Sequence, residues 1–414
     1  MLRYWLWLST RTGVSKMRRL ELLRYFGSVD EIYHADNRAL EEAPGLSEAE
    51  REALCDKNLQ EAESILNQCY ELGIRVLTWQ DAQYPERLRA IHDAPVVLYY
   101  KGRLPDFSAA PCVALVGARK ASAFGMLTAK RLGYQLGRSG AIVVSGLAEG
   151  VDGMGMVGAL SADAPVVGVL GCGADIIYPK KNRALYEDTI ARGCILTEYP
   201  PHTPAIGYHF PVRNRIISGL CDGVVVVEAA ARSGSLITAR QALEQGRDVF
   251  AVPGNAGSEA CAGSNHLLRQ GAILVENGWD VLQDYTARYP GLSFGMEQGI
   301  KIGLSANDLR QNSADSDKND GMKVASKVQT PKKAVDNDEK ANYIELKALM
   351  RTLPPTQCAV LEALRDGPKL MDDIIDLAQI PAREIMSALT MLEIRHLVTK
   401  VSANCYRLAE HLIL

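Results

Sequence analysis

Short apolar, β-branched runs alternate with stretches of helical periodicity through the middle of the chain, from Val113 to Val275. Runs bounded by Gly, Pro or Ser predict strands at 112–116, 141–145, 166–170, 194–197, 223–227, 248–252 and 272–275, with helices between them. Strand and helix in strict alternation predict an α/β fold: a Rossmann-like, doubly wound parallel sheet. Residues 73–105 read as extended, and the run from Ala94 to Tyr100 leads a strand into that sheet. Before it, apolar positions recur in short helical stretches at Leu20, Leu23, Ile32, Leu40, Leu54, Ile65 and Leu66, broken at Gly27-Ser28 and Pro44-Gly45. Ser47 with Glu50 three residues on forms a capping-box pattern.

The pattern lapses after residue 296. Residues 305–340 are rich in Asn, Asp, Ser and Lys and poor in aromatics, which predicts a disordered linker. Periodicity returns with helices expected at 356–364, 370–377 and 382–394 and a β-ribbon at 397–401 and 405–408, a winged-helix order. The expected domains are a small helical module of the helix-hairpin-helix kind at 1–72 and an extended Rossmann-like core at 73–290. The linker at 291–345 and the winged helix at 346–414 follow. Helical modules with such Gly turns either hold a nucleic-acid backbone or serve packing and partner contacts.

Composition narrows this picture. A chain of 414 residues with 47% hydrophobic content can fill more than one core. Its net charge of −3 means that any nucleic-acid contact comes from a local basic patch. Nine cysteines without a CxxC pair argue against a zinc site and against a disulfide framework, so reduced thiols in a cytoplasmic setting are expected. The apolar start from Met1 to Leu8 lacks the long apolar region and cleavage site of a signal peptide. No run approaches the ~20 apolar residues of a membrane span. No metal, no cofactor and no membrane contact are expected.

The candidate chemistry lies in loops at strand ends. Gly117-Ala118-Arg119-Lys120-Ala121-Ser122 follows the run 113–116, and Ser145-Gly146-Leu147-Ala148-Glu149-Gly150 follows 142–144. Phe210-Pro211-Val212-Arg213-Asn214-Arg215 opens a helix, and Ser233-Gly234-Ser235 follows the run 224–227. Ligands of such sheets bind beyond the carboxyl ends of the strands, so the four loops are expected to converge on one crevice. Gly117, Gly146 and Gly234 let backbone approach a ligand, helix starts favour anions, and arginine forks suit phosphate. Ser122, Ser145, Ser233 and Ser235 add hydroxyls, and Lys180 and Lys181 after the strand 166–170 extend the positive track. Asp152 serves either as a loop organiser or as a ligand group. The crevice holds no obvious nucleophile: Cys172 has no histidine placed as its base, and there is no Walker A sequence and no GxGxxG after the first strand.

At these loops the chain resembles the DNA-processing protein A (DprA, or Smf) family. The matching residues are Gly117-Ala118-Arg119 with Ser122, Ser145-Gly146-Leu147-Ala148 with Gly150-Val151-Asp152, and Tyr178-Pro179. Glu198-Tyr199-Pro200, Phe210-Pro211 with Arg213-Asn214-Arg215, and Val227-Glu228-Ala229 match too, as do Ser233 to Thr238, Val252-Pro253-Gly254, and Gly263-Ser264-Asn265 with Gly271-Ala272. The resemblance covers about 75–285. It implies a non-catalytic, homodimeric Rossmann-like core that binds single-stranded DNA, protects incoming strands in natural transformation and helps load the RecA recombinase on them. It implies that Arg119, Ser145, Gly146, Lys180, Asn214 and the flanking Arg213 and Arg215 line the strand pocket, and that 265–275 takes part in the dimer. One departure stands out: where the family has an Ala-His pair after its Gly-Ile-Asp motif, this chain has Gly155-Met156.

A phosphate-based groove predicts low sequence specificity and affinity that falls with salt. Arg119→Ala and Arg215→Glu are expected to weaken strand binding without unfolding the chain. The main rival is a nucleoside-monophosphate phosphoribohydrolase on a related sheet. Its Pro-Gly-Gly-x-Gly-Thr loop is here Ser233-Gly234-Ser235-Leu236, with Glu228 as the only nearby acid. A scaffold with a vestigial pocket is the third reading. The expected recognition helix of the winged helix carries Arg383 and Arg395 but also Glu384 and Glu393, which suits a protein contact better than a DNA reader.

Overall fold

The computed structural model describes residues 1–293 and, beyond them, 344–345, 353–365, 367, 369–394, 397–402, 405–408 and 412–413. The linker expected at 305–340 lies outside the described residues. Two compact units divide the chain, Met1–Asn319 and Asp320–Leu414.

The first unit begins with six short helices: α1 (Leu2–Thr10), α2 (Lys16–Phe26), α3 (Val29–His34), α4 (Asn37–Glu42), α5 (Glu48–Cys55) and α6 (Gln60–Glu71). Ser15, Ser28, Asp36 and Ser47 cap α2 to α5 by accepting N–H bonds, and Ser47 with Glu50 completes the predicted capping box. Helices this short are marginal alone and need an apolar face to bury. Leu6, Trp7, Leu8, Ile32, Leu40 and Leu54 bury theirs in the same hydrophobic core as Leu98 and Tyr99 of the sheet. The boundary expected at 72 is therefore a change of secondary structure within one core.

The sheet has nine strands: β1 (Arg75–Thr78), β2 (Val97–Gly102), β3 (Cys112–Val116), β4 (Ile142–Ser145), β5 (Val166–Val169), β6 (Cys194–Thr197), β7 (Gly223–Val226), β8 (Asp248–Ala251) and β9 (Ile273–Leu274). Their order is β1-β2-β6-β5-β4-β3-β7-β8-β9. Strands β3 to β9 pair in parallel, whereas β2 joins β6 and β1 joins β2 antiparallel. All residues of β3 to β7 are buried, as expected of a parallel sheet covered on both faces.

From β3 the chain steps outward through α8 (Ala123–Arg138), α9 (Val151–Ser161) and α10 (Arg183–Arg192) to β6. After α11 (His209–Leu220) it returns beside β3 as β7 and steps the other way through α12 (Ser235–Glu244) to β8 and α13 (Ala262–Arg269) to β9. Right-handed crossovers in opposite directions place these two helix sets on opposite faces. Helices α8 and α9 lie unusually close, because a Cβ at Gly133 would overlap the Gly155 carbonyl and one at Gly158 would overlap that of Lys130. Their glycines serve helix packing, and Met156 beside them is fully buried.

In the second unit, α15 (Pro355–Ala363), α16 (Met371–Ala378) and α17 (Ala382–Ile394) enclose Val360, Leu361, Ile374, Ile385, Leu389 and Leu392. Strands at Val398–Ser402 and Cys405–Leu408 pair antiparallel, so the predicted winged-helix elements are all present. The short helices α7 (Glu86–Arg89) and α14 (Trp279–Leu282) complete the first unit.

Candidate functional site

Strands β3 and β7 are neighbours from which the chain leaves in opposite directions, so the loops at their carboxyl ends diverge. A cleft of about 350 Å³ opens there, lined among others by Gly117, Arg119, Asp152, Phe210, Arg213, Asn214, Ser233, Gly234 and Ser235. A smaller recess of about 50 Å³ shares Arg119, Phe210 and Arg213 and adds Gly146, Tyr178 and Pro179.

Phe210 is the centre of this surface. Its ring stacks on the exposed Tyr178 at 5.3 Å, and the guanidinium groups of Arg119 and Arg213 lie 5.4 and 5.9 Å from its centroid. Arg119 is exposed and has no carboxylate partner among the described residues. Arg213 is buried: its guanidinium donates to the Gly146 carbonyl at 2.9 Å and to that of Val169. Burial lowers the Arg213 pKa to about 10, which leaves it charged at neutral pH. Burial pushes Asp152 up, opposed by Arg213 and by the Gly146 N–H that it accepts at 3.1 Å. A Cβ at Gly146 would lie 2.5 Å from Arg213 Nη2 and 2.7 Å from Asp152 Oδ2, so only glycine fits between the pair. Asp152 thus organises the loop from within.

The loop is further fixed at Leu147, a buried residue at φ 54°. This left-handed conformation is costly for leucine. Asn182 holds it by donating to the Leu147 and Ala148 carbonyls at 2.9 and 3.2 Å.

Helices α8 and α12 follow the two strands that flank the cleft. Ser122 caps α8, and its backbone N–H and hydroxyl both donate to the carboxylate of Glu228, which is 1% exposed. At α12 the N-cap is Gly234, with no side-chain cap and no atom within 4 Å of where its Cβ would stand. Ser233 and Ser235 share a hydroxyl contact at 2.8 Å beside it. The Ser235 N–H donates to the Ser233 hydroxyl at 3.4 Å, and those of Leu236 and Ile237 donate to the Ser233 and Gly234 carbonyls at 3.1 Å each, so the first turn of α12 turns a positive dipole end without a carboxylate cap toward the cleft.

The structure thus brings Gly117, Arg119, Arg213, Asn214, Ser233, Gly234 and Ser235 together, with Gly146 adjoining. Others are placed differently. Arg213 and Arg215 sit in the second turn of α11, not the first, and two residues apart they face different sides. Arg215 is buried, pairing with Glu198 at 2.6 Å and Asp93 at 3.0 Å, and Glu198 also pairs with Lys16 of α2 at 2.7 Å. It binds the N-terminal helices to the sheet, so the expectation that Arg215→Glu spares the fold is corrected: it sets a carboxylate against two others. Ser145 is buried and donates to the Leu115 carbonyl at 2.6 Å. Ser122 is spent on Glu228. Lys180 and Lys181 are exposed beyond the cleft lining, and Lys181 pairs with Glu149 at 2.6 Å. Gly117 is small because a Cβ there would meet Val151 and the Glu228 carbonyl, not because a ligand approaches. Sequence reasoning missed Tyr178 and Phe210 as a stacked surface and Asn182 as a loop clamp; the aromatics beside Pro179 and Pro211 were the available signal.

Residues 75–286 match the family model described as DNA recombination-mediator protein A. The chain belongs to that family. Residues 347–404 match its DprA winged helix domain as well. The chain is 31% identical to Protein Smf of Synechocystis sp. over 98% of both chains. It is 40% identical to the DNA processing protein DprA of Bacillus subtilis over 53% of this chain and 73% of that one. The crystal structure of DprA from Streptococcus pneumoniae superposes with a TM-score of 0.62 at 35% identity, covering 69% of this chain and 98% of that one.

Within the family's core, three groups that hydrolysis would call on are withdrawn. Glu228 lies under the start of α8 with both oxygens engaged. Cys172 is buried, and desolvation pushes its thiol up to about 11, far from a thiolate at neutral pH. His209 is buried, stacked on Tyr199 at 4.1 Å with its Nδ1 against the Gly171 carbonyl. Among the described residues no helix is long and apolar enough to cross a membrane.

Proposed function

We propose that the cleft binds the phosphodiester backbone of single-stranded DNA, without catalysis and with little sequence preference. The observation that carries this is the pairing of Arg119, exposed and uncompensated, with the Phe210–Tyr178 surface, in one cleft with the start of α12, whose dipole no carboxylate caps. A cation and a helix dipole take phosphate, while exposed aromatic faces take bases of any kind. A duplex keeps its bases stacked internally and offers them to no such surface.

The family's description as a recombination mediator supports a further step. The chain protects incoming strands during natural transformation and passes them to RecA recombinase, acting as a cytoplasmic homodimer through its Rossmann-like core. The β9 edge, where Ile273 and Leu274 are exposed, supports 265–275 as part of that dimer. Lys180 and Lys181 extend the track beyond the cleft. The winged helix serves a protein contact.

The test is fluorescence anisotropy with labelled oligothymidine and a matching duplex across a salt series. Arg119→Ala is expected to weaken strand binding about tenfold and to lower the salt slope by about one. Wild-type affinity in that variant refutes the cleft. Release of free base from nucleoside monophosphates would instead point to the phosphoribohydrolase reading.

A further inference from the structure

The amino end of the sheet carries a second concentration of positive charge. A groove of about 860 Å³ is lined there by Arg87, Arg89, Arg103, Arg247 and Arg288, with Glu86 and Asp106 as its acids. Arg103 precedes β3 and Arg247 immediately precedes β8, so the groove lies at the end opposite the cleft. The five residues of β3 separate the two by about 17 Å.

The charges in this groove do not balance. Beneath it, buried Asp222 accepts the Cys112 N–H at 2.9 Å and the Tyr289 hydroxyl at 3.1 Å, and it pairs with Arg87 at 2.9 Å and Arg288 at 3.3 Å. Arg247 is a third guanidinium beside it. It donates only to backbone carbonyls, of Arg87 at 2.9 Å and of Gly219 at 3.4 Å. Burial, and then repulsion from Arg87, lowers its pKa. Arg89 lies over Trp79 and Tyr84 and donates to the Asp81 carbonyl at 2.9 Å. The exposed Arg103 side chain has no carboxylate partner among the described residues. Five guanidinia thus face three carboxylates around one partly desolvated floor, a state that an added anion stabilises.

We infer that this groove is a second polyanion site that takes a nucleic-acid phosphodiester backbone. All its cations are arginines, whose planar forks match phosphate oxygens. No large apolar side chain of the groove is exposed, so it offers an acidic peptide nothing to bury. The anion site follows from the charges alone; its assignment to nucleic acid rests on the proposed function. A long strand held in the cleft reaches the groove by wrapping the sheet, and a short one does not.

The test uses the full chain with labelled oligothymidines of about 10 and about 60 nucleotides, the shorter within the span of one basic groove. Arg103→Glu/Arg288→Glu is expected to weaken the long strand about tenfold and to reduce its salt slope by about two, with the short strand unchanged. Arg103→Glu alone, at an exposed and unpaired side chain, serves if the double variant melts early. A benzophenone side chain at Gln83 is expected to crosslink the long strand. Unchanged long-strand affinity without that crosslink overturns the groove and leaves the cleft untouched. Failure of the wild type to bind the short strand sinks the cleft reading, while the Gln83 crosslink still reports on the groove. Protection of a dye at Gln83 by polyglutamate but not by oligothymidine assigns the groove to an acidic protein and overturns the nucleic-acid proposal.

Discussion

Helices α8 and α12 leave neighbouring strands at the same end of one sheet, yet only one of their first turns is given a carboxylate. The start of α8 is filled from within: Ser122 caps it, and the Glu228 carboxylate accepts the Ser122 N–H at 2.8 Å. The start of α12 is a bare glycine with open space beside it. Both turns have the same need for a negative partner. At α8 the protein supplies one in Glu228; at α12 the N–H groups turn back onto Ser233 and the Gly234 carbonyl, which satisfies the donors but leaves the dipole without a charge of its own.

That contrast can be broken most severely at Glu228. Glu228→Gln removes a buried charge that accepts two donors, and is expected to cost about 2–3 kcal/mol in urea unfolding. Strand affinity per folded molecule should hold; if it falls with stability, α8 belongs to the binding surface after all. Next in size is Gly234→Asp, which gives α12 a carboxylate of its own. Stability should rise by about 0.5 kcal/mol through the helix dipole while strand affinity drops about tenfold. Anisotropy with unaltered affinity would mean that this turn is not used.

The smallest effect concerns Asp152. Its folded pKa is raised, so the native state holds that proton more tightly than the unfolded chain does. Its ionisation therefore costs stability: the contribution is lost as pH rises through the raised pKa and regained as pH falls through it. Protonation also strips a negative charge from beside Arg213, so strand affinity should increase on mild acidification. Asp152→Asn is expected to flatten both trends in paired urea and anisotropy titrations across the mildly acidic range; trends that persist in it belong to another group.

The sheet was legible because its strands are dense in β-branched residues and buried on both faces, so runs such as 113–116 and 224–227 stand out from what surrounds them. Strand β1 was not separable, since Arg75–Thr78 is short and only half apolar. Convergence of the loops followed from chain order alone. What each loop residue does there did not. Ser122 and Glu228 are 106 positions apart, and no local pattern announces that one caps the other. Gly117 reads as a ligand-facing glycine until Val151 is seen against it. Arg215 is a different kind of miss: helical phase alone separates it from Arg213 by about 200°, so one of the two had to turn from the cleft.

The bridge from Lys16 through Glu198 to Arg215 also bears on how this chain can be rearranged in evolution or by design. The first six helices look exchangeable in the sequence, a detachable prefix to the sheet. Yet a replacement would have to bring its own cation to Glu198, 182 positions away, and an apolar face for the core that Trp7 now fills. The amino-terminal helices are therefore inherited with the sheet rather than appended to it.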